Sequence, residues 1–264
     1  MGLRDTPWAS CLYLRMDEAL RAETIRMSGA GGVEIEAYLA RPLGDDRRGG
    51  VVVIHHMPGY DRATKEMTRR LAVLGYDALC PNLFWREAPG ADPDDASAAV
   101  RALGGVPDER LVGDVAAAAN HLRQLPQATG RIGVIGHCSG GRQAVLTGCH
   151  IQVDAVVDCY GAYVTGDPPP DWPLRVTNLV PILPKLSAPV LGLFGNEDRT
   201  PSPEHVDEFE AILRVNGKQS EFYRYTNAGH GFFAVDRTSY RVIAAVDGWE
   251  RIASFFTRHI APEG

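Results

Sequence analysis

A chain of 264 residues with 45% hydrophobic and 23% charged residues can bury a sizeable core, and fits one large α/β domain or two small ones. Its net charge of −6 gives no reason to expect nucleic acid or an anionic membrane as a partner. Five cysteines (Cys11, Cys80, Cys138, Cys149 and Cys159), odd in number and without a C-x-x-C pair, argue against zinc-ribbon and thioredoxin-type sites. They argue instead for free thiols in a reducing, cytoplasmic compartment.

Residues 1–22 read as a short helix or an irregular leader. Met1 to Leu20 spreads its charges and has no apolar h-region, so a signal peptide is not expected, and no apolar run in the chain reaches transmembrane length. From Glu23 to Ala40, apolar residues alternate around Gly29–Gly32, the pattern of an antiparallel, half-exposed hairpin. After a polar loop over 41–50, Val51-Val52-Val53-Ile54 predicts a strand covered on both faces, broken by His55-His56-Met57-Pro58-Gly59. Arg62 to Leu74 has helical spacing and stops at Gly75; Tyr76 to Cys80 is a buried strand stopped by Pro81. A loop over 82–95 carries Phe84, Trp85 and Arg86, and helices are expected over 96–103 and 108–125.

Further strands are expected over 131–135, 153–160, 189–194 and 220–225, with helices after Cys138, over 203–215 and over 240–259. Pro168-Pro169-Pro170 marks a loop, and Leu179 to Leu186 is a proline-interrupted connector. Strands alternating with helices predict a mostly parallel central sheet with helices on both faces, preceded by the N-terminal antiparallel hairpin. No linker, repeat or composition shift divides residues 1–264, which read as a single domain.

Chemistry concentrates at Gly136-His137-Cys138-Ser139-Gly140-Gly141. A glycine two before and two after a nucleophile, between strand and helix, is the nucleophile-elbow pattern with cysteine in the serine position. Side chains at 136 and 140 would collide with neighbouring backbone in so tight a turn, and a helix N-terminus favours both a thiolate and a developing oxyanion. The other reading is a buried structural cysteine in a glycine-rich turn. Two later strands end in polar turns, Gly195-Asn196-Glu197-Asp198 and Asn227-Ala228-Gly229-His230-Gly231. Alone, Asp198 reads as a turn residue or cap with Glu197 as its rival, and His230 as a loop histidine. Together, the order nucleophile, acid, histidine, each after a strand, is that of a catalytic triad on an α/β-hydrolase sheet.

The stretches Val51–His55, Gly75–Leu83, Gly136–Gly141, Gly195–Asp198 and Ala228–Phe232 resemble the dienelactone hydrolase family, the carboxymethylenebutenolidase-like α/β-hydrolases. The resemblance runs from Glu23 to the last helix. It implies the α/β-hydrolase fold and the cleavage of a small ester or lactone. It implies Cys138 as nucleophile, His230 as general base, Asp198 as its orienter, the N–H groups of Ser139 and Met57 as oxyanion hole, and no metal or organic cofactor. Two positions depart from the family. Its thiolate-generating glutamate is replaced by His56, which either meets the substrate or thiol or fills space. Of the two arginines that hold the substrate carboxylate, Arg86 matches the first, whereas the second falls on Ala234. The dienelactone itself is therefore not the expected substrate.

Tyr160 matches a family pocket position or is a core tyrosine. Arg142, a cation opposing the helix dipole, faces solvent or pairs with an acid such as Asp158. The expected function is a hydrolase of a small-molecule ester or lactone acting through a thioester acyl-enzyme. The alternatives are a non-catalytic ligand-binding protein on the same fold and an acyl-transfer or carbon–carbon-cleaving variant of the same triad. Neither nucleic acid nor membrane is expected as a partner, and the oligomeric state, a homodimer included, stays open.

Overall fold

The computed structural model describes residues 20–262. The leader reading therefore lies outside the described residues up to position 19, as does Cys11. Eight strands form one sheet: β1 (Leu20–Ser28), β2 (Glu34–Pro42), β3 (Arg48–Ile54), β4 (Asp77–Pro81), β5 (Ala128–His137), β6 (Ala155–Cys159), β7 (Val190–Gly195) and β8 (Ser220–Tyr225). Their spatial order is β1-β2-β4-β3-β5-β6-β7-β8. β1 and β2 form the expected hairpin, which joins β4 antiparallel; every pairing from β4 to β8 is parallel.

Among the described residues five α-helices lie between strands, α1 (Arg62–Val73), α2 (Pro93–Ala102), α3 (Asp108–Arg123), α4 (Ser139–His150) and α5 (Pro203–Val215), and α6 (Val242–Ile260) follows the last strand. Most boundaries fall within three residues of the sequence-based ones. The first strand starts at Leu20 instead of Glu23, because its pairing with β2 extends to Leu20 opposite Pro42. α2 starts at Pro93 instead of Ala96: Asp92 accepts the Asp94 N–H as a cap, and proline fits the first helical turn. β5 starts at Ala128, where Arg48 of β3 extends the ladder.

Alternation along β3 shows why both faces are covered. Val52 and Ile54 face one cluster, which includes Leu111 and Val115 of α3 and Phe209 of α5. Val51 and Val53 face the other, with Leu71 of α1 and Ile252 and Phe256 of α6. Period-2 alternation gives such a strand two apolar faces, each needing a helical layer. Among the described residues no helix is long and apolar enough to cross a membrane.

The elbow after β5 is where backbone crowding is tightest. A Cβ at Gly136 would land on the carbonyl oxygen of Gly140, and one at Gly140 on that of Ile54. Neither neighbour is a flexible side chain that could swing away. Gly140→Ala is therefore expected to destabilise by about 3 kcal/mol, the upper end of ordinary overpacking. A urea unfolding midpoint within error of the parent protein would show that the turn can relax.

Candidate active site

The carboxyl ends of β3, β5, β7 and β8 meet at one rim, where ligands of parallel sheets collect. Cys138 sits at φ 56°, ψ −126°, a conformation unusual for a residue with a side chain. The fold holds it there: its N–H donates to the Cys159 carbonyl at 3.0 Å, and its own carbonyl accepts from Gly141 N–H at 2.9 Å. The thiol is partly exposed and lines a cavity of about 570 Å³.

Asp198 closes the turn after β7 and is nearly buried. One carboxylate oxygen accepts the Thr200 N–H at 2.9 Å; the other meets His230 Nδ1 at 2.8 Å. Its rival Glu197 is exposed. His230, in the turn after β8, lines the same cavity as Cys138. Burial alone would lower the His230 pKa. The hydrogen bond to Asp198 and the neighbouring Asp198 and Cys138 side chains outweigh burial and raise it to about 10. The three residues singled out in sequence thus lie together at one cavity.

Met57 and Ser139 line the same cavity, and among the described residues neither N–H has a backbone acceptor. That of Ser139 is free because it opens α4. His55, at the end of β3, is pinned: Nε2 accepts the Leu83 N–H at 3.1 Å, so the Nδ1 proton faces the His56 carbonyl at 2.9 Å. Burial lowers its pKa to about 4, which keeps it neutral.

Three sequence-based expectations need correction, and a fourth, that Arg142 pairs with an acid, holds with a different partner. His56 does not line the cavity. Its Nε2 lies 3.3 Å from Asp61, and its Nδ1 is 3.4 Å from Thr64 Oγ1, so both ring nitrogens face the start of α1. Arg86 is not a cavity residue either. Its guanidinium pairs with both oxygens of Asp114 on α3, at 2.6 and 2.9 Å, and donates to the Ala30 carbonyl at 3.1 Å. Tyr160 is buried below the cavity, its ring against His230, and is absent from the lining. Arg142 neither faces solvent nor meets Asp158: it is buried, pairs with Asp108 at 3.1 Å, and donates to the Thr177 carbonyl at 2.8 Å. Asp158 instead accepts the Gly161 N–H at 2.7 Å, and burial raises its pKa to about 7.

The outer wall of the cavity was missed. It comes from the loop between α2 and α3 (Gly104, Gly105, Val106) and from the irregular stretch after β6, which contributes Tyr163, Trp172 and Leu174. Arg175 fastens the two, its N–H donating to the Gly104 carbonyl at 2.8 Å and its guanidinium to that of Leu103 at 3.1 Å. The only signal in the sequence was an unusually long loop around three prolines.

Residues 35–260 match the dienelactone hydrolase family. The chain is 32% identical over 260 residues to a protein of Escherichia coli (strain K12) named "Putative carboxymethylenebutenolidase", covering 96% of this chain and 93% of that one. A like-named protein of Methylorubrum extorquens is 35% identical over 228 residues, covering 85% of this chain and 77% of the relative. A crystal structure of a "Putative Dienelactone Hydrolase" from Klebsiella pneumoniae superposes with a TM-score of 0.80 at 29% identity, covering 91% of this chain and 99% of the other.

Proposed function

The chain belongs to the dienelactone hydrolase family and is a lactone or ester hydrolase, and on that premise we propose that it cleaves a small ester or lactone through Cys138, His230 and Asp198, by way of a thioester acyl-enzyme. The observation that carries this reading is the imidazole of His230, bonded at 2.8 Å to Asp198 and lining one cavity with Cys138.

Nδ1 faces Asp198, so Nε2 is the nitrogen left for the thiol. With its pKa raised, His230 holds the proton taken from Cys138, and the sulfur of that ion pair attacks the substrate carbonyl. Asp198 fixes the tautomer and stabilises the imidazolium. The tetrahedral oxyanion rests on the N–H groups of Met57 and Ser139. As it collapses, His230 returns the proton to the leaving oxygen, which frees the alcohol or opens the lactone ring. Water, deprotonated by the same imidazole, then attacks the thioester. Collapse of that second intermediate releases the carboxylate and restores the thiol. With His56 bound to Asp61 and Thr64, no carboxylate at the end of β3 takes part, and activation of the thiol falls to His230 alone.

The test is direct. Acid-quenching turnover of a p-nitrophenyl ester and digesting the protein is expected to yield an acyl group on the Cys138 peptide. An acyl group on any other residue, or turnover with none, overturns the proposal.

A further inference from the structure

We infer that Tyr160 is a positioning residue, which holds the His230 ring toward Cys138 by bridging the strand that carries the acid and the loop that carries the base. The inference rests on the triad reading above and adds to it the support that keeps the imidazole aligned.

Three attachments make Tyr160 a bridge. Its N–H donates to the Leu193 carbonyl at 2.9 Å, which ties its backbone to β7, five residues before Asp198. Its hydroxyl lies toward the Phe233 backbone, three residues after His230, and its ring packs against the Phe233 ring with centroids 6.1 Å apart. Its ring stands edge-on to the His230 imidazole, with centroids 5.1 Å apart at 63°. On its other sides the ring meets Phe232, Phe233 and His137, so it has no room to tilt without moving the loop above it.

The backbone adds an independent sign. Tyr160 adopts φ 47°, a left-handed conformation that is costly for a bulky residue and persists only where the surroundings impose it. Glycine would relieve that cost but would leave the imidazole without its ring neighbour. The ring is almost wholly buried and touches no part of the cavity, so substrate contact does not account for its place. The groups that govern His230 are Asp198 on one side and Cys138 on the other, with the buried Asp158 carboxyl exerting a weaker pull from β6. Among the described residues, Tyr160 is the aromatic that stands against the imidazole and is also attached to β7 and to the loop after His230.

The experiment uses the full chain with Tyr160→Phe and Tyr160→Leu, and Cys138→Ala as control. The readouts are kcat and KM for a p-nitrophenyl ester, and the pH dependence of Cys138 alkylation by iodoacetamide. Tyr160→Phe keeps the ring and loses the hydroxyl beside the Phe233 backbone; kcat is expected to fall roughly tenfold with KM unchanged. Tyr160→Leu loses the ring as well, and kcat is expected to fall about a hundredfold, the scale at which a misplaced catalytic group costs rate. In both, the midpoint of alkylation moves to higher pH, because the thiol loses an aligned base. A normal Phe variant beside an impaired Leu variant assigns the positioning to the ring alone. If Tyr160→Leu does not fold, Tyr160→Met removes the ring in its place and is read in the same way. A lower melting temperature with parental kcat and a parental alkylation profile means that Tyr160 is only core, and overturns the inference. Turnover surviving Cys138→Ala would bring down the triad reading itself, so the two failures are distinct.

Discussion

Cys138→Ala is expected to lower kcat/KM for small esters by at least about a thousandfold while leaving the fold intact. Removing the nucleophile of a triad leaves only what the oxyanion donors and binding supply, so losses of this size or more are ordinary. The fold survives for reasons specific to this turn. Alanine keeps the Cβ, so the strain at φ 56° is unchanged. The backbone bonds to Cys159 and from Gly141 do not involve the sulfur. The thiol is partly exposed, so its loss leaves little cavity behind. Steady-state turnover and a thermal melt on the same preparation check both halves. Residual kcat/KM within about tenfold of the parent would remove Cys138 from the mechanism. A melting temperature far below the parent would mean that the sulfur supports the elbow as well.

The elbow was legible because its glycines are forced by backbone contacts that any strand-turn-helix of this tightness must make. Gly136 and Gly140 each touch a carbonyl oxygen, and such contacts do not depend on distant sequence. The places of Asp198 and His230 were legible for a related reason. A parallel sheet delivers its strand ends to one rim, so Asp198 and His230 needed only to follow strands. The hairpin and the two apolar faces of β3 followed from period alone.

What stayed hidden was partner choice. Arg142 was legible as a cation out of place at a helix N-terminus, but its partner Asp108 lies 34 residues earlier, at the start of α3. Tyr160 was legible as an aromatic at a strand end; that its ring turns toward the imidazole and away from substrate depends on a backbone dihedral that composition does not encode. His56 is different, since its partner Asp61 is only five residues on. Asp61 caps α1, accepting the Thr64 N–H at 2.8 Å, and the capping turn carries its carboxylate to the histidine. The wall with Trp172 and Arg175 left almost no trace, because irregular segments have no period to detect.

Arg86→Met is expected to cost stability and to leave KM for small esters unchanged. The Asp114 carboxylate is fully buried, and Arg86 supplies two of the hydrogen bonds that offset its charge, with the Ala30 N–H supplying a third at 2.7 Å. Removing one member of a buried pair strands the other, at about 3 kcal/mol or more. In a chain of this size that corresponds to a fall in melting temperature of roughly 6–12 °C. The pair also anchors the hairpin turn: a Cβ at Gly29 would strike Asp114 Oδ1, so turn, loop and α3 close on the same two side chains. Replacing both, Arg86→Met with Asp114→Leu, is expected to cost less than the sum of the single changes, because no bare charge is left buried. Thermal melts of the two singles and the double, with KM for a neutral ester and for a carboxylate-bearing lactone, separate the possibilities. A parental melting temperature for Arg86→Met, with KM raised only for the carboxylate-bearing lactone, would return Arg86 to substrate binding. It would also mean that the guanidinium leaves Asp114 during turnover.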